Sequence, residues 1–178
     1  MENENLMRQI YLEKVTLNIG AGKEQALLEK SMKLIEHLTG KKPIKTLSKK
    51  RIPAWGLRPG LPIGCKLTLR GEEAENILKR MLNAKSHKLS QEKFDNEGNV
   101  TFGLTEYIDI EGAKYDPEIG VIGLQITATL HRAGYRVRTR KIQKKALPKR
   151  HRISREEAVK FMKDNFRLKI AEEEETEE

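Results

Sequence analysis

A chain of 178 residues and 20.5 kDa has room for one compact domain, or one domain with an extension, and not for two full-sized ones. Hydrophobic residues make up 37% against 34% charged and only 5% aromatic, so the core is modest; a single cysteine excludes an intramolecular disulfide, and no apolar run approaches the roughly 20 residues that span a bilayer. Thirty-five Lys and Arg against 26 Asp and Glu leave +9, a balance that calls for a polyanionic partner rather than a small acidic substrate.

The chain opens on MENENLMRQ, acidic and polar where a signal peptide is basic and then greasy, which points to the cytosol. From Ile10 to Gly20, Val15, Leu17 and Ile19 alternate with Lys14, Thr16 and Asn18, which predicts a strand with one wet side. Lys23 to Leu38 spaces Leu27, Leu28, Met32, Ile35 and Leu38 as a helix does, with Gly40 as its C-cap. After a short apolar stretch at Ile44 to Leu47, four prolines (Pro43, Pro53, Pro59, Pro62) and Gly56, Gly60 and Gly64 predict a long loop. Ile63 to Arg70 alternates again, Cys65, Leu67 and Leu69 against Lys66, Thr68 and Arg70. Gly71 then precedes a second amphipathic helix carrying Ala74, Ile77, Leu78, Met81 and Leu82.

Further on, Asp-Asn-Glu-Gly-Asn within Phe94 to Leu104 predicts the turn of a hairpin. Gln125 to His131 is the third alternation, with Ile126, Ala128 and Leu130 on the apolar side. Ser154, followed three residues later by Glu157, makes a capping box for a last helix that buries Ala158, Phe161 and Met162. Six of the 26 acids fall in the last eight residues; without them, thirty-five cations face twenty acids and the rest of the chain carries +15. So dense a like-charged run (171–178) cannot pack and is expected to be a disordered tail that shields the basic surface before assembly. Residues 1–170 then form a single α+β domain, an antiparallel sheet with helices on one face and the other face open.

Two segments hold most of the positive charge: Lys41 to Arg70 has nine Lys or Arg and no acid, and His131 to Arg155 has eleven and no acid. A merely solvated surface mixes the signs, so both segments point to phosphate. The wet side of the strands adds donors and acceptors at Thr16, Asn18, Thr68, Gln125, Thr127 and Thr129, flanked by Lys14, Lys66, Arg70 and His131. These strands place no aromatic residue on that side, whereas sheets that stack single-stranded bases do, which favours folded RNA read by backbone shape and 2′-hydroxyls.

Other chemistries fit poorly. Asn18-Ile-Gly-Ala-Gly-Lys23 has Leu17 where a P-loop needs its first glycine and Glu24 where it needs Ser or Thr, and Gln25 where a dinucleotide fingerprint needs its third glycine. Gly20 and Gly22 are therefore turn residues that let a helix N-terminus approach a phosphate. His87, His131, Asp109 and Glu111 form no pairing of nucleophile and base, and no Cys-x-x-Cys or His-x-x-x-His holds a metal, so no catalytic residue, metal or cofactor is assigned. His131 and His151 read as neighbours of phosphate and Cys65 as core. Trp55, between Arg51 and Arg58, either pins its loop to the domain or stacks on a nucleotide.

VTLNIGAG at 15–22, LTGKKPIKTLSKKRIPAWGLRPGLPIGCKLTLRG at 38–71 and IGVIGLQITATL at 119–130 resemble the universal large-subunit ribosomal protein family number five, the 5S rRNA-binding protein. The likeness runs in one order from about Ile10 to Ile170. The basic insertion at 133–152 resembles the archaeal and eukaryotic form, since bacterial members pass almost directly from strand to helix.

The resemblance implies a ferredoxin-like fold, similar to the RNA-recognition sandwich, and a non-enzymatic role in the central protuberance. The open face would hold 5S rRNA through Lys14, Thr16, Asn18, Gly20, Gly22, Lys66, Thr68, Arg70, Gln125, Thr127 and Thr129, with help from a stem of the large rRNA. The basic loop 48–62 would reach the P-site tRNA through Lys49, Lys50, Arg51, Trp55 and Arg58. Arg132, Arg136, Arg138, Arg140, Lys144, Lys145, Lys149 and Arg150 would meet rRNA phosphates. The implied partners also include neighbouring 5S-binding ribosomal proteins and small-subunit protein thirteen at an intersubunit bridge, for which the hairpin after Phe94 and the turn at Tyr115 to Gly120 are candidates. The protein would be a monomer within the cytoplasmic ribosome, without a membrane partner. A different class of function, an RNA chaperone or regulatory protein binding many RNAs through charge alone, would show no preference for 5S rRNA, since phosphate contacts carry no sequence information.

Overall fold

The computed structural model describes residues 5–171, so the Glu-rich run beyond Ala171 lies outside the described residues. The order of elements is β1 (Ile10–Gly20), α1 (Gln25–Thr39), β2 (Ile44–Leu47), β3 (Pro62–Leu69), α2 (Glu72–Ala84), β4 (Lys88–Ser90), β5 (Asn99–Leu104), β6 (Leu124–Arg132), α3 (Arg136–Thr139), α4 (Arg155–Phe166) and β7 (Lys169–Ala171). This is the expected α+β class: a five-stranded antiparallel sheet in the order β2-β3-β1-β6-β5, with β4 and β7 forming a separate parallel pair.

The short apolar stretch Ile44 to Leu47 is a strand. It is the edge strand β2, antiparallel to β3 with Ile44 opposite Lys66, and the register slips between Thr46 and Leu47. The partner that makes it a strand lies some twenty residues downstream, out of reach of any local pattern. β3 lies so close to β1 that a Cβ on Gly64 would stand 2.5 Å from the Ile19 carbonyl oxygen, so the position excludes any side chain.

The described chain groups into two compact units, and β1, β5 and β6 contribute residues to both. One comprises Thr16–Leu69 and Gly103–Ile126. In it α1 packs on β3, burying Leu28, Leu34, Ile35 and Leu38, and its C-cap Gly40 adopts φ +70° with its N–H on the Glu36 carbonyl. Leu27 and Met32, assigned to the apolar stripe, are only half-buried, while Leu34 and Ser31 take buried places. Ser31 tolerates burial because its hydroxyl donates to the Leu27 carbonyl at 2.7 Å.

The other unit comprises the chain up to Val15, Arg70–Phe102 and the chain from Thr127 onward. Here α2 buries all five predicted residues, Ala74, Ile77, Leu78, Met81 and Leu82, and Glu72, Glu73 and Glu75 in its first turn suit the positive end of its dipole. The capping box of α4 forms as expected, but the helix buries Ala158, Val159, Met162 and Phe166 and leaves Phe161 half-exposed against the Phe166 ring. The expected hairpin is reduced to its turn. Asp95 accepts from the N–H groups of Glu97 and Asn99, Gly98 adopts φ +81° with Ile153 packed against it, and Phe94 makes only a single bridge to Val100. The strand upstream, β4, turns instead to β7.

Candidate nucleic-acid interface

The polar side of the strands stays uncovered in each unit. In the unit holding α1, Thr16 and Asn18 of β1 are half-exposed, and Lys66 and Thr68 of β3 and Gln125 of β6 are exposed, while Leu17, Ile19, Cys65, Leu67, Leu124 and Ile126 point into the core. Asn18 and Gln125 are joined by a long bond, Asn18 Nδ2 donating to Gln125 Oε1 at 3.4 Å, which leaves most of their hydrogen-bonding capacity facing outward. Gly20 and Gly22 are exposed, Gly22 at φ +60°. The N–H groups of Ala21 and Gly22 both go to the Ile63 carbonyl, which fixes this turn onto β3.

In the unit holding α2, Lys14, Thr127 and Thr129 are half-exposed and Arg70 is exposed. The Arg70 guanidinium pairs with Glu13 at 3.2 Å. Thr101 of β5, absent from the sequence-derived set, shares a hydroxyl contact of 3.1 Å with Thr127 and belongs to the same surface. Its strand was expected as a hairpin arm, which hid its place on the sheet.

The expectation that this side carries no aromatic ring is overturned. Apolar residues fall at Ile10 and Leu12 and then at Val15, Leu17 and Ile19, while Glu13 and Lys14 are both only half-buried. The phase of β1 therefore slips by one residue at Glu13–Lys14, as a bulge does, and such a slip carries every earlier side chain to the opposite face. Tyr11 comes to lie beside His131, with ring centroids 5.9 Å apart at 45°.

The loop 48–62 is ordered by its own backbone. Ser48 is buried and exchanges bonds across the loop base, its N–H to Leu61 O at 2.8 Å and its O from Gly60 N at 2.9 Å, while its hydroxyl donates to Lys50 O. Ile52 and Leu57 bridge through two bonds of 3.0 Å, and Leu57 is the side chain that buries. Trp55 is 63% exposed, so it does not pin the loop; Lys49, Lys50, Arg51 and Arg58 are exposed with it.

In the basic segment, Arg136, Arg138, Lys144, Lys145, Lys149 and Arg150 are exposed and Arg140 half-exposed, its Nε donating to Gln143 O. Arg138 already pairs with Glu97 at 3.0 Å. Tyr135 accepts from Ile153 N–H at 2.9 Å, His151 bonds the Ala133 carbonyl, and Leu147 is buried, which ties both ends of the segment to the unit. Burial raises the pKa of the Tyr135 hydroxyl, although the Ile153 N–H and nearby arginines act against it.

Arg132 has a different role from the one expected. It is 4% exposed, its Nη2 lies 2.8 Å from Glu157 Oε1, its Nε donates to Arg8 O and its Nη1 to Arg152 O, so none of its charge is offered to a phosphate. Alternation places residue 132 on the apolar side of β6, and only an ion pair makes that side habitable for a cation. Burial alone would push the Glu157 carboxyl up, but the Ser154 N–H and the Arg132 guanidinium outweigh it and hold the carboxyl below its usual range.

Cys65 is fully buried and its thiol is pushed up to about 11 by burial, as a core residue and not a nucleophile. His87 and His131 are half-buried and each has an enclosed Nδ1 with no partner among the described residues. His151 Nε2 bonds the Ala133 carbonyl at 2.9 Å. Among the described residues no three of His, Cys, Asp and Glu gather as metal ligands, and no helix is long and apolar enough to cross a membrane.

Comparison with known proteins places two family models on the chain, that of "Ribosomal protein L5" over residues 5–58 and that of the C-terminus of the same ribosomal family over residues 62–161. The chain is 47% identical over 171 residues to the large ribosomal subunit protein uL5 of Sulfolobus acidocaldarius, covering 96% of each chain. It is 48% identical to the protein of the same name from Nanoarchaeum equitans, over 94% of this chain and 99% of that one. To that of Methanosphaera stadtmanae it is 42% identical, over 93% and 99%.

Proposed function

Since the chain belongs to the ribosomal protein L5 family, and is thus a non-enzymatic component of the large ribosomal subunit, in the cytoplasm and with rRNA as partner, we propose that it binds 5S rRNA through the open polar side of its strands and helps attach that RNA to the large rRNA. The observation that carries this reading is the run of uncovered donors and acceptors at Thr16, Asn18, Lys66, Thr68 and Gln125, backed in that unit by buried Leu17, Ile19, Cys65, Leu67, Leu124 and Ile126. Such groups read 2′-hydroxyls and base edges without needing unpaired bases. Lys14, Arg70, Thr127 and Thr129 offer the same chemistry in the other unit.

Loop 48–62 presents Trp55 outward between Arg51 and Arg58, an aromatic face flanked by cations, which suits a nucleotide of the P-site tRNA better than a structural role. The exposed cations between Arg136 and Arg150 neutralise rRNA phosphates. For a bridge to the small subunit, through its protein thirteen, the turn at Tyr115 to Gly120 offers an exposed Tyr115 beside the hydrogen-bonded Asp116 turn, whose carbonyl accepts from Ile119 and Gly120.

Asn18→Ala and Thr68→Ala each weaken 5S rRNA binding by about 1 kcal/mol, as loss of one interfacial hydrogen bond does. Filter binding at physiological salt checks this, and unchanged affinity for both removes the sheet surface from the interface. Equal affinity of the wild type for unrelated RNAs of similar length would place the protein with charge-driven RNA chaperones instead. Excising 52–61 leaves 5S binding intact and lowers P-site tRNA affinity in assembled ribosomes; loss of 5S binding on excision would reassign the loop.

A further inference from the structure

We propose that Tyr11 and His131 form a stacking platform for one unpaired RNA base, at the end of the polar surface of the unit that holds α2. The inference rests on the RNA-binding reading above and adds a ligand of different chemistry, a flat heterocycle rather than a phosphate or a ribose.

The platform owes its position to the slip in β1. With Ile10 and Leu12 on the apolar side, Tyr11 stands on the same side as Glu13, whose carboxylate meets the outward Arg70, and as His131, which follows Thr127 and Thr129 on β6. The two rings are tilted at 45° with centroids 5.9 Å apart, so neither covers the other face to face, and Tyr11 is 42% exposed.

The tyrosine is also held before any ligand arrives. Its hydroxyl donates to Gln9 Oε1 and its ring leans on His131, so little rotamer freedom remains to be lost on binding. The His131 Nδ1 has no partner among the described residues, so no hydrogen bond at that nitrogen dedicates the imidazole to the protein's own structure. Around the pair, Thr129 offers a hydroxyl for a base edge, and Lys14 and Arg70 share the single carboxylate of Glu13, at 3.9 Å and 3.2 Å, which leaves a net positive charge for a nucleotide's phosphate. An RNA base uses all of these features, whereas a protein side chain docking here would gain nothing from the cations unless it were acidic.

The test uses the full chain, 5S rRNA, a transfer RNA of similar size as competitor, and a 12-nucleotide single-stranded oligoadenylate. Tyr11→Leu removes the π face and keeps the apolar bulk; it raises the Kd for 5S rRNA roughly ten-fold, within the range for loss of one stacked base. The salt dependence keeps its slope, because no phosphate contact is lost. Tyr11→Phe, which retains the ring, stays within about two-fold of wild type. Should the leucine variant melt early, Tyr11→Thr, suited to an exposed strand position, replaces it.

Unchanged 5S affinity in the leucine or threonine variant, with the wild type still preferring 5S, overturns the platform and leaves the RNA-binding reading standing. If the wild type shows no preference for 5S but Tyr11→Leu still weakens oligoadenylate binding, the 5S assignment fails and the platform survives. A loss of affinity in Tyr11→Phe equal to that in Tyr11→Leu would assign the effect to the hydroxyl and its Gln9 contact, which also overturns stacking.

Discussion

Replacing Arg136, Lys144, Lys145, Lys149 and Arg150 together with glutamine lowers rRNA affinity by roughly a hundred-fold or more at physiological salt, and flattens the plot of log affinity against log salt by about four units. All five side chains are exposed, whereas the charge of Arg138 is answered by Glu97 and that of Arg132 by Glu157. Each phosphate neutralised releases condensed counterion, contributing about 0.7 to 0.9 to the slope, so five lost contacts are visible in the slope itself and not only in the affinity. Because these residues contribute no buried surface, the thermal melting of the variant stays near wild type. An unaltered salt slope would show that the segment faces solvent in the complex.

Glu157→Gln is expected to destabilise the fold by about 1–2 kcal/mol at neutral pH while leaving its helix cap in place. Glutamine still accepts from the Ser154 N–H, as Glu157 does through Oε2 at 3.0 Å, so the substitution removes the charge that Arg132 needs and little else. The expected loss stays below that for a wholly buried pair because the Glu157 side chain is 41% exposed and solvent screens it. The pH dependence has a definite sign. The Glu157 carboxyl is held below its usual range, so the unfolded chain binds this proton more readily than the folded one. The contribution is therefore complete above the unfolded carboxyl pKa of about 4.3 and is lost as pH falls through the lower folded value. Denaturant melts of wild type and Glu157→Gln should thus converge in acid. A double-mutant cycle with Arg132→Met isolates the pair, and a coupling below about 0.5 kcal/mol would show that Arg132 is sustained by the Arg8 and Arg152 carbonyls alone.

Both predictions concern residues from one basic run, and the division between them was not visible in it. From His131 to Arg155 the sequence is rich in cations and free of acids, every cation equally suited to phosphate. Alternation along β6 turns Arg132 inward, but only the fold brings to it a carboxylate from 25 residues further along the chain. Trp55 is a similar case. Its loop is expected from proline and glycine spacing, but only the structure shows that Leu57 and Ser48 are the buried side chains of the loop and that the Trp55 ring faces outward.

Period and capping did carry far. The alternation of β3 and β6, the apolar stripe of α2 and the Ser154–Glu157 box are read from neighbours within four residues, because a strand or helix backbone dictates which nearby side chains share a face. From these and the composition alone came the α+β class, the wet side of the strands and the excess of charge that makes RNA its partner. What awaited the tertiary structure was every feature created by chain segments distant in sequence: the pairing of β2 with β3, the meeting of β4 with β7, the carboxylate that answers Arg132, and the His131 ring that Tyr11 meets. Local periodicity records the direction a side chain takes from its own backbone, while the neighbour it finds there is set by how the chain returns upon itself.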